Sequence, residues 1–407
     1  MTRIRWACAA GLVAIAISCR AAATPSLDDL AERYVRLTLR LAQHNPDLVD
    51  DWRGPQEWKP GPREPVAATV GQIDVLREDI AKVRTEANRA RLDYLVRQLE
   101  ALTVAGIRLS GGSTTFEDEV SPRPGTRIDA PAMARARQTL GTLLPGTSPL
   151  AARYAAYRAG LAVPAARVEP VMRAALAACR DASREMRLPA DERVDLVFGH
   201  GSQWDGFARY LGDHRTRIEI NLDASLDVTR ALRLACHEGY PGHHAQNVLI
   251  DDELVQKRGW QEFALAPAFG QFLFITEGAA EVGADVAFPT AKRAELYRTV
   301  LLPAAGQSPA EAGRLVEVED LVAQLEPAIV DIVRAYLANT TTQADAMARL
   351  RDEALTPNPE GLLAFAERRR ARSLAYTLGR AEVRSWIGDT GIPGLRRLFT
   401  DLAFALH

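Results

Sequence analysis

The chain has 407 residues, 47% of them apolar and 25% charged, an ordinary globular composition with length enough to bury a large core. Its formal charge of −2, spread without a basic block or an acidic tail, argues against nucleic acid as a partner. Beyond the N-terminal segment no apolar stretch reaches membrane-spanning length.

At the start of the chain, Arg3 and Arg5 precede an apolar run over 6–18 that has the length of a signal peptide and is too short for a membrane anchor. Two exits are open. Ala21-Ala22-Ala23 offers small residues for cleavage before Thr24, which makes 1–23 the leader. Ile17-Ser18-Cys19 resembles a bacterial lipobox, with Ala16 where leucine is usual, and that route leaves Cys19 as a lipidated N-terminus. Either way the mature chain is expected to be exported, periplasmic or lipid-anchored to the envelope. Cys8 and Cys19 belong to this segment. Cys179 and Cys236 remain, to be read as one disulfide or as two separate buried thiols.

Helical periodicity dominates the rest of the chain. Ser26-Leu27-Asp28-Asp29 reads as a capping box, and Leu27, Leu30, Tyr34, Leu37 and Leu41 then recur at spacings of three and four. That helix should stop near His44-Asn45-Pro46. Residues 52–65 predict a Pro/Gly loop, 70–102 helix, and 111–149, rich in Gly, Ser and Pro, a long connection. Helix returns over 150–186. Residues 215–221, Arg-Thr-Arg-Ile-Glu-Ile-Asn, alternate polar and apolar and predict a half-exposed strand shortly before a histidine cluster. Helices are predicted again over 226–236, 269–286, 309–339 and 359–387. The expected architecture is mainly α with a small β element, a helical lobe over 24–190 packed on a lobe over 191–407 that holds the chemistry.

That chemistry is signalled by Cys236-His237-Glu238-Gly239-Tyr240-Pro241-Gly242-His243-His244. In a regular helix two residues four apart lie about 6 Å along the axis and about 40° around it, which is why H-E-x-x-H can hold one zinc ion. Here the second histidine comes six or seven residues on. On a straight helix His243 would point about 120° away, and His244 would sit about 10 Å along. Pro241 forbids a straight helix, since it lacks an N–H and its ring clashes with the carbonyl of residue 237. Gly239 and Gly242 flank it. The sequence therefore places a break or bulge between the histidines, and a bulge of two residues brings His243 to the second ligand's place.

A third ligand is expected from a following helix, where Glu277 and Glu281 share one face. Glu277 is placed on the metal and Glu281 behind a ligand histidine. His44, His200, His214 and His407 have no partners in sequence and read as structural or exposed. No G-x-S-x-G elbow, P-loop, Rossmann glycine pattern or C-x-x-C pair competes.

The run His237 to His244 resembles the hallmark of the bacterial family known as domain of unknown function 885, which is mainly helical and similar to the gluzincin metallopeptidases. By order of elements the likeness covers most of the mature chain, from His44-Asn45-Pro46-Asp47 and Trp52-Arg53-Gly54-Pro55 to Glu277-Gly278 and Tyr376-Thr377-Leu378-Gly379. Two places depart from it. Ala279 stands where the family has tryptophan, and Arg370 and Arg372 stand where it has proline and glutamine. The resemblance implies a gluzincin-like fold and a zinc-dependent peptidase. Zn²⁺ would be held by His237, His243 and Glu277, with His244 as the alternative second ligand; Glu238 would take a proton from water and the Tyr376 phenol would steady the oxyanion. The strand at 215–221 would offer its edge to a peptide substrate. Two further readings stay open: an exported zinc- or peptide-binding protein without turnover, and a metallohydrolase acting on a non-peptide amide or ester.

Overall fold

The computed structural model describes residues 25–120, 128–202 and 204–401; the leader with Cys19, and His407, lie outside them. The fold is mainly helical, with two small sheets. Helix α1 (Leu27–Ala42) starts at the predicted capping box, the Asp29 N–H donating to Ser26 Oγ at 3.1 Å and the Ser26 N–H to Asp29 Oδ2 at 3.0 Å. It packs with α2 (Val66–Val83) and α3 (Arg89–Leu109). Between α1 and α2, strand β1 (Val49–Trp52) reaches across the molecule to pair antiparallel with the later segment Leu265–Pro267.

The connection expected over 111–149 contains helix α4 (Ala130–Leu143) instead. Its start signal is local. Asp129 accepts the Ala132 N–H at 2.9 Å, and Pro131 sits in the first turn, where its missing N–H does no harm. Ala136 and Leu140 then bury one face. The expected helix over 309–339 is also divided, into Ala312–Ala323 and Pro327–Leu337, because Pro327 cannot continue the first.

After α5 (Ala165–Ala182) come three strands, β2 (Arg193–Gly199), β3 (Gly206–Gly212) and β4 (Arg215–Asn221). Their order is β2-β4-β3, with β2 parallel and β3 antiparallel to β4. The alternating stretch at 215–221 is thus a strand, as its period predicts, but it is the middle one. Both its edges are hydrogen-bonded to neighbours, so it cannot present an edge to a ligand. The outer strands are β2 and β3, and of these β3 is the one that borders the cleft described below.

Helix α6 (Val228–Glu238) follows, then α7 (His243–Leu249) and the long α8 (Gly270–Ala287). Helix α8 is buried on nearly every side, and an all-round apolar helix of this kind belongs at the centre of a core. The main apolar cluster draws on both sides of position 190, from Leu30 and Leu99 to Ile218, Val282 and Phe399. The stretch expected as one helix over 359–387 breaks at Arg370, whose φ is +48°, and re-forms through a wide π-helical turn, Ala375–Gly379, into α9 (Arg380–Ile387).

That turn crosses α8 at glycine on glycine. A Cβ on Gly278 would overlap the Gly379 backbone, and one on Gly379 would overlap the Phe274 carbonyl. The clash is with main chain, which cannot swing aside. Replacing Gly278 with Ala should therefore lower the unfolding free energy by about 1–3 kcal/mol, read as a lower urea midpoint at unchanged slope.

Candidate metal centre

Helix α6 is fixed at both ends. Asp227 caps it by accepting the Thr229 and Arg230 N–H groups at 3.0 and 2.9 Å. Near its other end Cys236 is joined to Cys179 of α5 by a disulfide, with the Cα atoms 5.4 Å apart, so of the two readings open for these cysteines the pair is the one realised. His237 is the next residue. The helix ends at Glu238, and residues 239–242 are neither helix nor bulge but a break containing a cis Tyr240–Pro241 bond. Pro241 lies against Gly283 of α8, and the Gly242 N–H donates to the Cys236 carbonyl at 3.0 Å. Any side chain at Gly242 would collide with the carbonyl oxygens of Cys236 and His237. The chain turns back this tightly only with glycine there, and α7 then begins on His243.

The break brings the two imidazoles together, ring centres 4.6 Å apart and planes at 89°. Glu277 of α8 meets both. Its Oε2 lies 3.5 Å from His237 Nε2 and 3.4 Å from His243 Nε2, and the three ligand atoms fall within 4.8 Å of one another. A tetrahedral zinc site with bonds of about 2.0–2.1 Å has ligand–ligand edges of about 3.3 Å, so two of the three edges here already match. The donor set, two imidazoles and one carboxylate, also suits zinc. Glu277 Oε2 is buried without a hydrogen-bond partner, the condition of an atom reserved for a cation. The residues fit the group.

Glu281, one turn further along α8, places Oε1 3.1 Å from His237 Nδ1. That nitrogen nevertheless makes no aligned hydrogen bond; the contact is close enough for strong attraction but off line. Burial disfavours charge on His237, yet the carboxylates of Glu277 and Glu281 override it and hold the imidazole well above its ordinary pKa. Burial likewise opposes ionised Glu277 and Glu281, and the two histidines draw Glu277 far below its usual range while His237, with Arg380 and Arg230, draws Glu281 to about 2. The two carboxylates thus stay ionised inside the protein, and a divalent cation bound there would replace the proton that they hold on His237.

His244 is elsewhere. It is fully buried, with Nδ1 2.8 Å from Thr216 Oγ1 and Nε2 2.8 Å from Glu192 Oε2. With both ring nitrogens engaged it has none to offer a metal, and the alternative second ligand falls away. Glu192 also accepts from the Tyr240 hydroxyl and from Arg180, so it pins both ends of the break. Nothing in the sequence around Glu192 signals this role. The remaining described histidines pair away from the centre: His44 Nε2 with the Glu64 carbonyl, His200 with Asp223 and His214 with Asp191.

The centre forms the floor of a cleft of about 480 Å³, bordered by Glu238, Tyr376, the open strand β3, Arg53, Arg369 and Arg372. The Tyr376 ring stacks on His237 with centroids 6.0 Å apart. Burial pushes its phenol well above the ordinary value, and the Glu277 charge adds to this. Arg372 binds Asp50 of β1 through two bonds of 2.9 and 2.7 Å, a pair that spacing alone did not reveal.

No known family profile and no curated protein matches the chain. Among solved structures, the crystal structure of a "putative lipoprotein from Colwellia psychrerythraea" superposes with a TM-score of 0.51 at 15% identity, covering 94% of this chain and 76% of that one. The two share a fold. BsuCP gives 0.47 at 12% identity over 93% of this chain and 89% of that one. A "putative lipoprotein of unknown function from Shewanella oneidensis" gives 0.39 at 14% over 82% and 72%.

Metal analysis of purified protein should find one equivalent of zinc in the wild type and in His244→Ala, and none in His237→Ala, His243→Ala or Glu277→Ala; Glu281→Ala should bind about 10–100-fold more weakly. A second expectation concerns Glu192, drawn down to about 2 against its burial by His244, Tyr240 and Arg180. A depressed carboxyl contributes stability above its unfolded value and loses it as pH falls toward the folded one. Glu192→Gln should therefore lower stability by about 2–3 kcal/mol at pH 7, with the deficit fading between about pH 4.5 and 2 in urea titrations.

Proposed function

We propose that this chain is an exported zinc-dependent peptidase of the kind its resemblance to the domain 885 family implies, with a gluzincin-like arrangement of helices. The observation that carries the reading is the convergence of His237, His243 and Glu277 on one point at the floor of a cleft whose wall carries Glu238 and Tyr376. His237, His243 and Glu277 would hold Zn²⁺, with Glu281 orienting His237 from behind. The ion, when bound, supplies Lewis acidity to a substrate carbonyl and acidifies water.

The rest falls to the protein. Glu238, in the same cleft, takes a proton from the attacking water and passes it to the departing amine. Tyr376, kept protonated, donates a hydrogen bond to the developing oxyanion. The open edge of β3 pairs with an extended peptide backbone, binding it through main-chain atoms whatever its side chains. An oxidising compartment suits both the apolar leader and the Cys179–Cys236 disulfide. The likeness to a Colwellia protein described as a lipoprotein agrees with an envelope location, through Cys19 if the lipobox route is taken.

The departures at Ala279, Arg370 and Arg372 favour, as a second reading, a zinc- or peptide-binding protein that has lost turnover; a substrate panel of amides and esters addresses a third, a non-peptide hydrolase. One experiment separates the first two. Wild-type protein should cleave a mixed peptide library, and Glu238→Gln should retain zinc while kcat falls about 10²–10⁴-fold. Tyr376→Phe should lower kcat about 10²–10³-fold with the metal retained. A wild type that binds zinc and peptides but cleaves nothing selects the second reading.

A further inference from the structure

The sheet sets side chains in rows across its strands. On the solvent face one row runs Asp195–Arg217–Arg209 through β2, β4 and β3, and the next runs Val197–Glu219–Phe207. Directly opposed unlike charges attract and like charges repel. Arg217 faces Asp195 on one side. Arg209 faces only Arg217 across the ladder, because β3 is an outer strand and no described strand pairs with its far side.

Arg209 is exposed and borders the cleft. The other guanidiniums there, Arg53, Arg369 and Arg372, are held by Asp51, Asp47 and Asp50. Arg209 leans toward the Phe207 ring, 6.0 Å away, and among the described residues no carboxylate pairs with it. The row is therefore unbalanced at the edge where a peptide would add.

We propose that Arg209 is a specificity determinant: it selects peptides that place an acidic side chain directly opposite it when they pair with β3. This rests on the peptidase reading above. The added strand completes a row in which each arginine has an acid beside it, Asp195 next to Arg217 and the peptide's acid next to Arg209. The neighbouring row supplies the second half of the pattern. Phe207, with Trp204 5.6 Å from it, offers an aromatic surface two residues away on the same face. The preferred segment thus has an acidic residue and an apolar or aromatic one separated by a single residue, which points to the other face.

Binding and cleavage are measured separately. The Glu238→Gln protein is titrated, by fluorescence anisotropy, with fluorescein-labelled heptapeptides in an alanine background. Each carries one Phe and, two positions away on either side, Glu, Gln or Lys. The Glu peptide should bind about three- to fivefold more tightly than the Gln peptide, with Lys weakest. Adding Arg209→Glu should invert that order, and Arg209→Gln should flatten it. In wild-type turnover the same preference should appear in KM and leave kcat unchanged. Equal binding of the three peptides, or none, overturns the proposal, and does so even where the wild type cleaves them. The expected order of binding without any cleavage overturns the peptidase reading instead and leaves Arg209 as the selector of a peptide-binding site.

Discussion

A carboxylate cannot be buried charged unless positive charge is buried with it, and Glu277 is the point at which this fold accepts that condition. Two imidazoles flank it, and their attraction outweighs the burial that opposes its charge. The same rule runs down α8. Glu277, Glu281 and Asp285 stand four residues apart on one face of a helix whose other side chains are apolar save Gln271 and Thr276. Asp285 is matched by Arg293, Arg380 and Arg384 at 2.7–3.0 Å. Rolling α8 by a fraction of a turn would press three carboxylates into apolar neighbours. Charge matching therefore fixes the roll of the central helix as firmly as packing does, and with it the aim of Glu277.

Holding the imidazoles is the work of the residues between and behind them. The disulfide ties the end of α6 to α5, Pro241 rests on Gly283, Gly242 folds back on the Cys236 carbonyl, and Glu192 grips Tyr240 and His244 together. These restraints act on successive residues of one short break, so its geometry is over-determined. A site built this way would need little rearrangement to take a cation, which is what preorganisation means in energetic terms.

Much of this was legible in the sequence, and the limits are physical. The 3.6-residue period puts Glu277 and Glu281 on one face whatever surrounds them, and Pro241 interrupts any helix, so the ligand-bearing elements could be read directly. The choice between His243 and His244 could not. It is decided by Glu192, far back in the chain, which captures one of two adjacent and chemically identical side chains. Strand pairing was lost for a related reason. Alternation in 215–221 reveals that a strand exists and which face is wet, but carries nothing about whether either edge is occupied. In 193–199 the run Leu196-Val197-Phe198 blurs the same signal. Helix α4 was hidden by averaging, since the Pro and Gly around it outweigh the brief start at Asp129-Ala130-Pro131.

Arg372, one of the residues that depart from the pattern the sequence resembles, acquires a physical sense in the cleft wall. Arg372 lies one helical turn before Tyr376, and its two bonds to Asp50 fasten that turn to β1. Arg369 binds Asp47, just before β1, and Arg53 pairs locally with Asp51. Arg372–Asp50 and Arg53–Asp51 are one-to-one pairs, whereas Asp47 is shared by Arg368 and Arg369. A glutamine at 372 could share one hydrogen bond with Asp50 but would leave its charge unmatched. The pairing thus lets this chain keep an acidic β1 beside the centre without repelling an acidic ligand. What remains to discriminate by charge is concentrated at two places, the His237–His243–Glu277 cluster and the outer edge of β3, and an extended chain of the kind proposed would touch both.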